Sequence, residues 1–183
     1  MMPDISLNIL DVANNSVTAG AMLTEIDITA DTAADTLEVM ISDNGKGMSE
    51  EQVMQVADPF FTTRTTRKVG LGIPFLKMAA ELTGGSFGIE STPGKGTKLK
   101  AVFGLAQIDR MPLGDIASTM TALVGPNPDI DFILRYRVDA NGFGLDTREM
   151  RNILDGIPLS EPEVLGYIAG FINENIDAVG GRF

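Results

Sequence analysis

Apolar residues recur at helical spacing near the start of the chain. Ile5, Ile9, Leu10, Val12, Ala13 and Val17, with Ser16, line one face of a helix over residues 4–18. Asp4 is a candidate N-cap and Gly20 a candidate stop. The period then changes. Residues 24–30 and 36–42 read as strands, and in the second Leu37, Val39 and Ile41 alternate with Glu38, Met40 and Ser42. Residues 31–35 between them are turn-like. Ser49 and Gln52 form a capping box for a short helix ending near Ala57. An irregular stretch rich in Thr and Arg follows over 58–70. Residues 71–82 read as a helix, with Pro74 in the first turn, where its missing N–H does no harm. Gly84-Gly85 ends it. Residues 86–91 and 97–103 predict a hairpin around Thr92-Pro93-Gly94-Lys95-Gly96. The order α, β, β, α, loop, α, β, β predicts an α+β two-layer sandwich, with strands covered on one side by helices.

After Gly104 the character changes, which divides the chain into residues 1–104 and 105–183. Residues 113–124 are helix-like and stop at Gly125-Pro126. Residues 130–138 and 143–145 read as a hairpin across Asp139-Ala140-Asn141-Gly142. Asp146 with Glu149 and Ser160 with Glu163 are two further capping boxes. The last helix carries Val164, Leu165, Ile168, Phe171, Ile172 and Ile176 on one face. This tail forms a small α/β subdomain, docking a partner or mediating a homodimer, or it covers an edge or face of the first sandwich.

Composition narrows the chemistry. The 183 residues contain no cysteine and no histidine, which removes disulfides, thiolate sites, a Ser–His–Asp triad and a phosphoacceptor histidine within these residues. No apolar run approaches the ~20 residues of a membrane helix, and no signal peptide is apparent. The expectation is a cytoplasmic protein without membrane association. A net charge of -11 argues against nucleic-acid binding. The charge is uneven: eight basic and six acidic residues lie between Asp43 and Gly104, against six and nineteen elsewhere. A mildly positive, glycine-rich segment in an acidic chain suits a small anion, or it is chance clustering. The ten methionines read as core filling.

Three places could carry chemistry. Asn8, Asp11, Asn15 and Thr18 form one polar stripe on the first helix. There Asp11 and Asn15, one turn apart, could hold a hydrated Mg²⁺, or the stripe is simply a solvated face. The second predicted strand runs into Asp43-Asn44-Gly45-Lys46-Gly47-Met48. A carboxylate at a strand end can accept from an exocyclic amine, and glycines two apart admit a ring closely; equally, this is a common turn. Gly70-Leu71-Gly72 opens a helix, where free N–H groups and the positive dipole end suit phosphate, with Arg64, Arg67 and Lys68 just before it. Gly94-Lys95-Gly96-Thr97 is no P-loop, because Lys95 is followed by Gly96 rather than Ser or Thr. No Gly-x-Gly-x-x-Gly follows a strand. Asp139-Ala140-Asn141-Gly142 begins like a calcium loop but has Phe143 and Met150 at later ligand positions.

Taken together, the order of these pieces resembles the GHKL ATPase superfamily, which includes histidine-kinase catalytic domains, DNA gyrase, the Hsp90 chaperones and the MutL proteins. Leu10-Asp11-Val12-Ala13-Asn14-Asn15-Ser16 looks like the N box, Asp43-Asn44-Gly45-Lys46-Gly47-Met48 like the G1 box and Asp58-Pro59-Phe60-Phe61-Thr62-Thr63-Arg64 like the kinase F box. Val69-Gly70-Leu71-Gly72-Ile73 looks like the G2 box, and Gly94-Lys95-Gly96-Thr97 like the last glycine box. The resemblance covers about residues 5–104.

The resemblance implies the Bergerat ATP-binding fold, with ATP and Mg²⁺ as cofactors. It implies that Asp43 holds the adenine amino group with Thr97 assisting, that Gly45 and Gly47 admit the base, and that Asn15 ligates Mg²⁺. Asp11 is then the candidate catalytic residue, Gly70-Leu71-Gly72 supply phosphate-binding N–H groups, residues 58–69 form an ATP lid, and Lys68 or Arg67 reaches the phosphates. Two features depart from the pattern. Lys68-Val69 stands where kinases usually have Gly-Thr, and Asn14 lies at or beside the place of the Glu of the hydrolytic branches. No helical hairpin with a phosphoacceptor histidine precedes the N box. The function implied is phosphotransfer in trans to a histidine, serine or threonine of a partner protein, for which anti-sigma-factor kinases are precedents. The alternatives are an ATPase or ATP-driven switch, and a regulatory binding module without catalysis.

Overall fold

The computed structural model describes residues 4–57, 71–181 and 183. The expected irregular stretch at 58–70, with the F box, the lid, Lys68 and Gly70, lies outside the described residues.

Helix α1 spans Ile5–Thr18, with the Asp4 carboxylate accepting from the Leu7 N–H at 3.0 Å. Strands β1 (Leu23–Asp31) and β2 (Thr36–Asp43) follow, then α2 (Glu50–Val56) with both bonds of the Ser49–Gln52 capping box present. Next come α3 (Gly72–Leu82), β3 (Ser86–Thr92) and β4 (Gly96–Gly104). The C-terminal segment supplies α4 (Ile116–Val124), β5 (Asp131–Val138), β6 (Asn141–Asp146), α5 (Thr147–Leu154) and α6 (Pro162–Val179).

The strands form one sheet in the order β3-β4-β2-β1-β5-β6, antiparallel except for the parallel pair β1–β5. The boundary expected at residue 104 falls between β4 and α4, and the sheet runs across it. Alternation explains the register. Ile26 and Ile28 of β1, Leu37, Val39 and Ile41 of β2, and Phe132, Leu134 and Tyr136 of β5 are all buried under the helices. On the opposite face Arg135 of β5 reaches back to β1, 2.6 Å from Glu25 and 3.2 Å from Asp27, and Lys100 of β4 meets Glu38 of β2 at 2.7 Å. A one-residue slip would exchange the two faces and bury these charges. Helices and strands share one apolar core containing Ile5, Ile9, Leu76, Met120, Ile168 and Ile172.

Two local expectations differ. The β5–β6 turn is Asp139-Ala140, while Asn141 and Gly142 pair with Val138 and Arg137. Asp139 holds this turn in the left-handed region (φ 52°) because its carboxylate accepts from the Thr32 N–H and hydroxyl at 2.8 and 2.9 Å. A side chain at Gly142 would press on Arg137 and the Tyr136 carbonyl, so the Asn-Gly pair serves close strand packing rather than the bend. Helix α6 starts after Glu161 without a side-chain cap, because Pro162 fits the first helical position. Among the described residues no helix is long and apolar enough to cross a membrane.

Candidate nucleotide site

A cavity of about 300 Å³ opens where the C-terminal half of α1, the end of β2 and the start of β4 converge. Val12, Ile41, Ile73 and Leu99 give it apolar walls, and Asn15, Ser16, Asp43 and Thr97 bring polar groups into it. Mostly apolar walls with a few convergent polar groups are the usual make-up of a small-molecule pocket. Two larger depressions, beside β6 and between α5 and α6, lie outside this convergence.

Asp43 is held from two sides. The Ser16 hydroxyl donates to Oδ2 at 2.7 Å and the Gly45 N–H to Oδ1 at 2.9 Å. The strand register sets Asp43 directly across from Thr24 of β1 and Thr97 of β4. Thr97 in turn belongs to a hydroxyl chain. Ser91 donates to the Gly96 carbonyl at 2.9 Å and accepts from the Met48 N–H at 2.8 Å. With its single proton so used, Ser91 accepts the hydrogen bond of the Thr97 hydroxyl at 2.9 Å, and the Thr97 oxygen is left as an acceptor.

The turn after Asp43 is tied down by the Asn44 side chain and by backbone bonds to neighbouring segments. Asn44 Oδ1 accepts from the N–H groups of Met22 and Leu23, Lys46 N–H donates to Ala19 O, and Gly94 N–H donates to Lys46 O at 2.7 Å. Gly47 has φ 65°, and a Cβ there would fall 2.0 Å from the Thr92 carbonyl oxygen. Gly45 is also confined, its Cβ position lying 3.0 Å from Asp43 Oδ1 and 3.1 Å from Ala19. Both glycines thus let the turn pack against the protein itself.

At the other side of the cavity α3 begins at Gly72, with no cap from the side chain of its N-cap residue, Leu71. The capping group comes from far along the chain: Asp11 Oδ2 accepts from the Gly72 N–H at 2.8 Å. A carboxylate at that positive helix end is favourable. The expected polar stripe on α1 is therefore divided among three environments. Asn8 is fully buried, Asp11 faces α3 outside the cavity, and Asn15 and Thr18 line the cavity.

Of the candidate residues, Asn15, Asp43, Gly47 and Thr97 line this cavity, with Gly45 bonded beside them. Leu71 is exposed and Gly72 buried at the mouth of α3. Ser16, Ser91 and Asn44 were not singled out from the sequence as site residues. Ser16 was legible as a hydroxyl on the otherwise apolar face of α1. Ser91 becomes visible only once β3 is paired with β4, which sets it across from Thr97.

Comparison with known proteins identifies the family. The sequence pattern of the family described as histidine kinase-, DNA gyrase B-, and HSP90-like ATPase matches residues 4–107. Sensor histidine kinase ZraS of Klebsiella oxytoca is 38% identical over 60 residues, which are 33% of this chain and 13% of that protein. Sensor protein SrrB of Staphylococcus aureus is 35% identical over 101 residues, 52% of this chain and 17% of that protein. The chain thus spans only a small share of the length of these relatives. The MutL ATPase domain of Aquifex aeolicus, solved with ADP, superposes with a TM-score of 0.50 at 12% identity, covering 85% of this chain and 70% of that one; this likeness is one of fold. The chain belongs to the histidine kinase-, DNA gyrase B- and HSP90-like ATPases, and it carries a GHKL ATP-binding domain of the histidine-kinase type.

Proposed function

We propose that this protein binds Mg-ATP in the cavity at Asp43 and passes the γ-phosphoryl group in trans to a partner protein. The observation that carries the reading is the fixed carboxylate of Asp43, aimed by Ser16 and Gly45 into a mostly apolar cavity. Such a group accepts from the exocyclic amine of adenine, and the Thr97 oxygen adds an acceptor at the next strand. Asn15 supplies a carboxamide oxygen from the cavity wall. Among the described residues no three His, Cys, Asp or Glu side chains are placed to hold a metal ion, and a single carboxamide suits Mg²⁺, which takes most of its ligands from phosphates and water. Mg²⁺ bound there would offset phosphate charge. Gly72 at the start of α3 offers its N–H to a phosphate oxygen in place of Asp11. Lys68 and Gly70 are proposed to extend that phosphate site.

In the transfer step the bond from the γ-phosphorus to the bridging oxygen of ADP breaks as a bond to the acceptor's nitrogen or oxygen forms. The 183 residues contain no histidine, so a histidine acceptor would lie outside them. A cytoplasmic setting and a homodimer remain part of the proposal.

The Asp11–Gly72 contact also supports a second reading, an ATP-driven switch, in which phosphate and the Asp11 carboxylate compete for one N–H. The test is a time course of γ-labelled ATP with Mg²⁺, resolving free phosphate, protein-bound label and bound ATP, beside the Asp43→Asn variant. Bound ATP with label passing to a second protein supports transfer; free phosphate, lost in Asp43→Asn, supports the switch with hydrolysis. ATP at 100 times its Kd stabilises a protein by ~2.7 kcal/mol. No ATP-dependent stabilisation of the wild-type protein would overturn both.

A further inference from the structure

Helix α5 is amphipathic, yet Thr147 is its one buried residue. Both its arginines are held by carboxylates. Arg151 donates to Asp131 at 3.0 Å and to the Ile130 carbonyl, and Arg148 pairs with Asp146 at 2.7 Å. Met150 and Leu154 pack in part against the core, while Ile153 stands out from it. Met150, Ile153, Leu154 and Ile157 line one wall of a groove of about 1190 Å³, and Tyr167 of α6 lines the other. Ile153 is 81% exposed, Tyr167 63% and Ile157 53%.

Two properties of this groove indicate what fills it. First, its charge has one sign. Asp155, Glu161 and Glu163 line it, no Lys or Arg does, and none of the three forms an ion pair among the described residues. Second, its aromatic wall is stiff. Tyr167 stacks on Phe171 (6.2 Å), Phe171 meets Phe143 edge-on (6.0 Å), and Phe143 stacks on the fully buried Tyr136 (5.7 Å). An exposed aromatic held from the core outward loses little entropy on contact, and such residues anchor interfaces.

We infer that the α5–α6 groove docks an amphipathic helix of another protein, one with an apolar stripe flanked by Lys or Arg. A cleft between two helices with apolar walls accepts such a stripe at i, i+3/i+4 and i+7, and the three carboxylates select basic flanks and disfavour acidic ones. A second copy of this chain, with a net charge of -11, brings the wrong sign. The inference goes beyond ATP chemistry and does not rest on it.

The probe is a fluorescein-labelled leucine/lysine helix of roughly 14 residues, about four turns, with a matched leucine/glutamate helix as control. Anisotropy titration of the full chain should show saturable one-to-one binding of the basic peptide and none of the acidic one. Ile153→Ser and Tyr167→Ala should each weaken binding at least about tenfold, as loss of an anchor does, and Glu161→Lys/Glu163→Lys should do so as well. Both apolar substitutions are at exposed positions, and unchanged circular dichroism checks that the fold is kept. No binding, or equal binding by wild type, Ile153→Ser and Tyr167→Ala, overturns the inference, the latter by reducing it to charge attraction. A wild-type dimer that Ile153→Ser converts to a monomer also overturns it, in favour of a second copy. ATP-induced stabilisation, measured alongside, reports on the nucleotide site separately.

Discussion

The N–H of Gly72 donates to Oδ2 of Asp11 at 2.8 Å, joining two residues 61 positions apart at the mouth of α3. Asp11 thus does for α3 what a capping side chain does locally. Removing such a cap costs about 1 kcal/mol. Asp11→Ala should therefore lower stability without nucleotide by about that amount, while Asp11→Asn, which keeps an acceptor, should lose less. Urea unfolding of the three proteins checks this, and equal midpoints for wild type and Asp11→Ala would show that the contact contributes nothing. If Asp11 is also the catalytic residue, both variants keep ATP binding and lose phosphate release or transfer.

Gly72 is required by the same contact. A Cβ there would lie 2.3 Å from Asp11 Oδ2 and 2.8 Å from Asp11 Cβ. Gly72→Ala should destabilise by about 1–3 kcal/mol, the range for forced overpacking. In an Asp11→Ala background the Oδ2 and Cγ contacts vanish and the Cβ contact stays. The cost of Gly72→Ala should then be smaller, so the two substitutions couple rather than add. Strict additivity in a double-mutant cycle would count against the geometry.

Ser16 aims Asp43 and is itself only 4% exposed. A hydrogen bond to a charged group contributes ~1.5–3 kcal/mol. Part of that is spent orienting the carboxylate, so Ser16→Ala should weaken ATP binding by roughly tenfold, about 1.4 kcal/mol. Calorimetric titration with Mg-ATP reads this directly. An unchanged Kd would mean that Gly45 alone suffices to fix Asp43.

Much of the fold was legible because its signals are local. Alternation in β2, the Asp4 cap, the Ser49–Gln52 box and the Gly84-Gly85 stop each act within a few residues. The neighbour of β1 was not legible. β5 lies there through its ladder with β1 and its buried Phe132, Leu134 and Tyr136; Arg135 meets Glu25 and Asp27 110 and 108 residues away, and no local pattern announces that pairing. Within the site, Asn15, Asp43 and Thr97 could be named from their motifs, and the structure brings them to one cavity. Gly47 lines the cavity as well, and a Cβ there would meet the Thr92 carbonyl, a contact no motif announces. Composition shows that a glycine is present; only the folded chain shows which atoms require it.

The start of α5 gives a pH-dependent prediction. Asp146 caps this helix through the Arg148 N–H at 2.9 Å, and the Arg148 side chain reaches the same carboxylate at 2.7 Å. That side-chain bond, with help from the backbone bond and nearby charge and against the effect of burial, holds the Asp146 carboxyl below the usual range. The folded state therefore favours the ionised form more than the unfolded state does. The resulting stability is fully present above the unfolded value of ~3.9 and is lost as pH falls through the lowered folded value. Asp146→Asn keeps an acceptor at the cap but removes the charge. Wild type should exceed the variant in stability by a constant margin from about pH 7 to about pH 5, and the margin should close below about pH 4. Because the Arg148 side chain is 52% exposed, added salt should shrink the margin at neutral pH. Urea unfolding across this range checks both trends, and a margin that does not narrow as pH falls below about 4 would assign it to cap geometry rather than to charge.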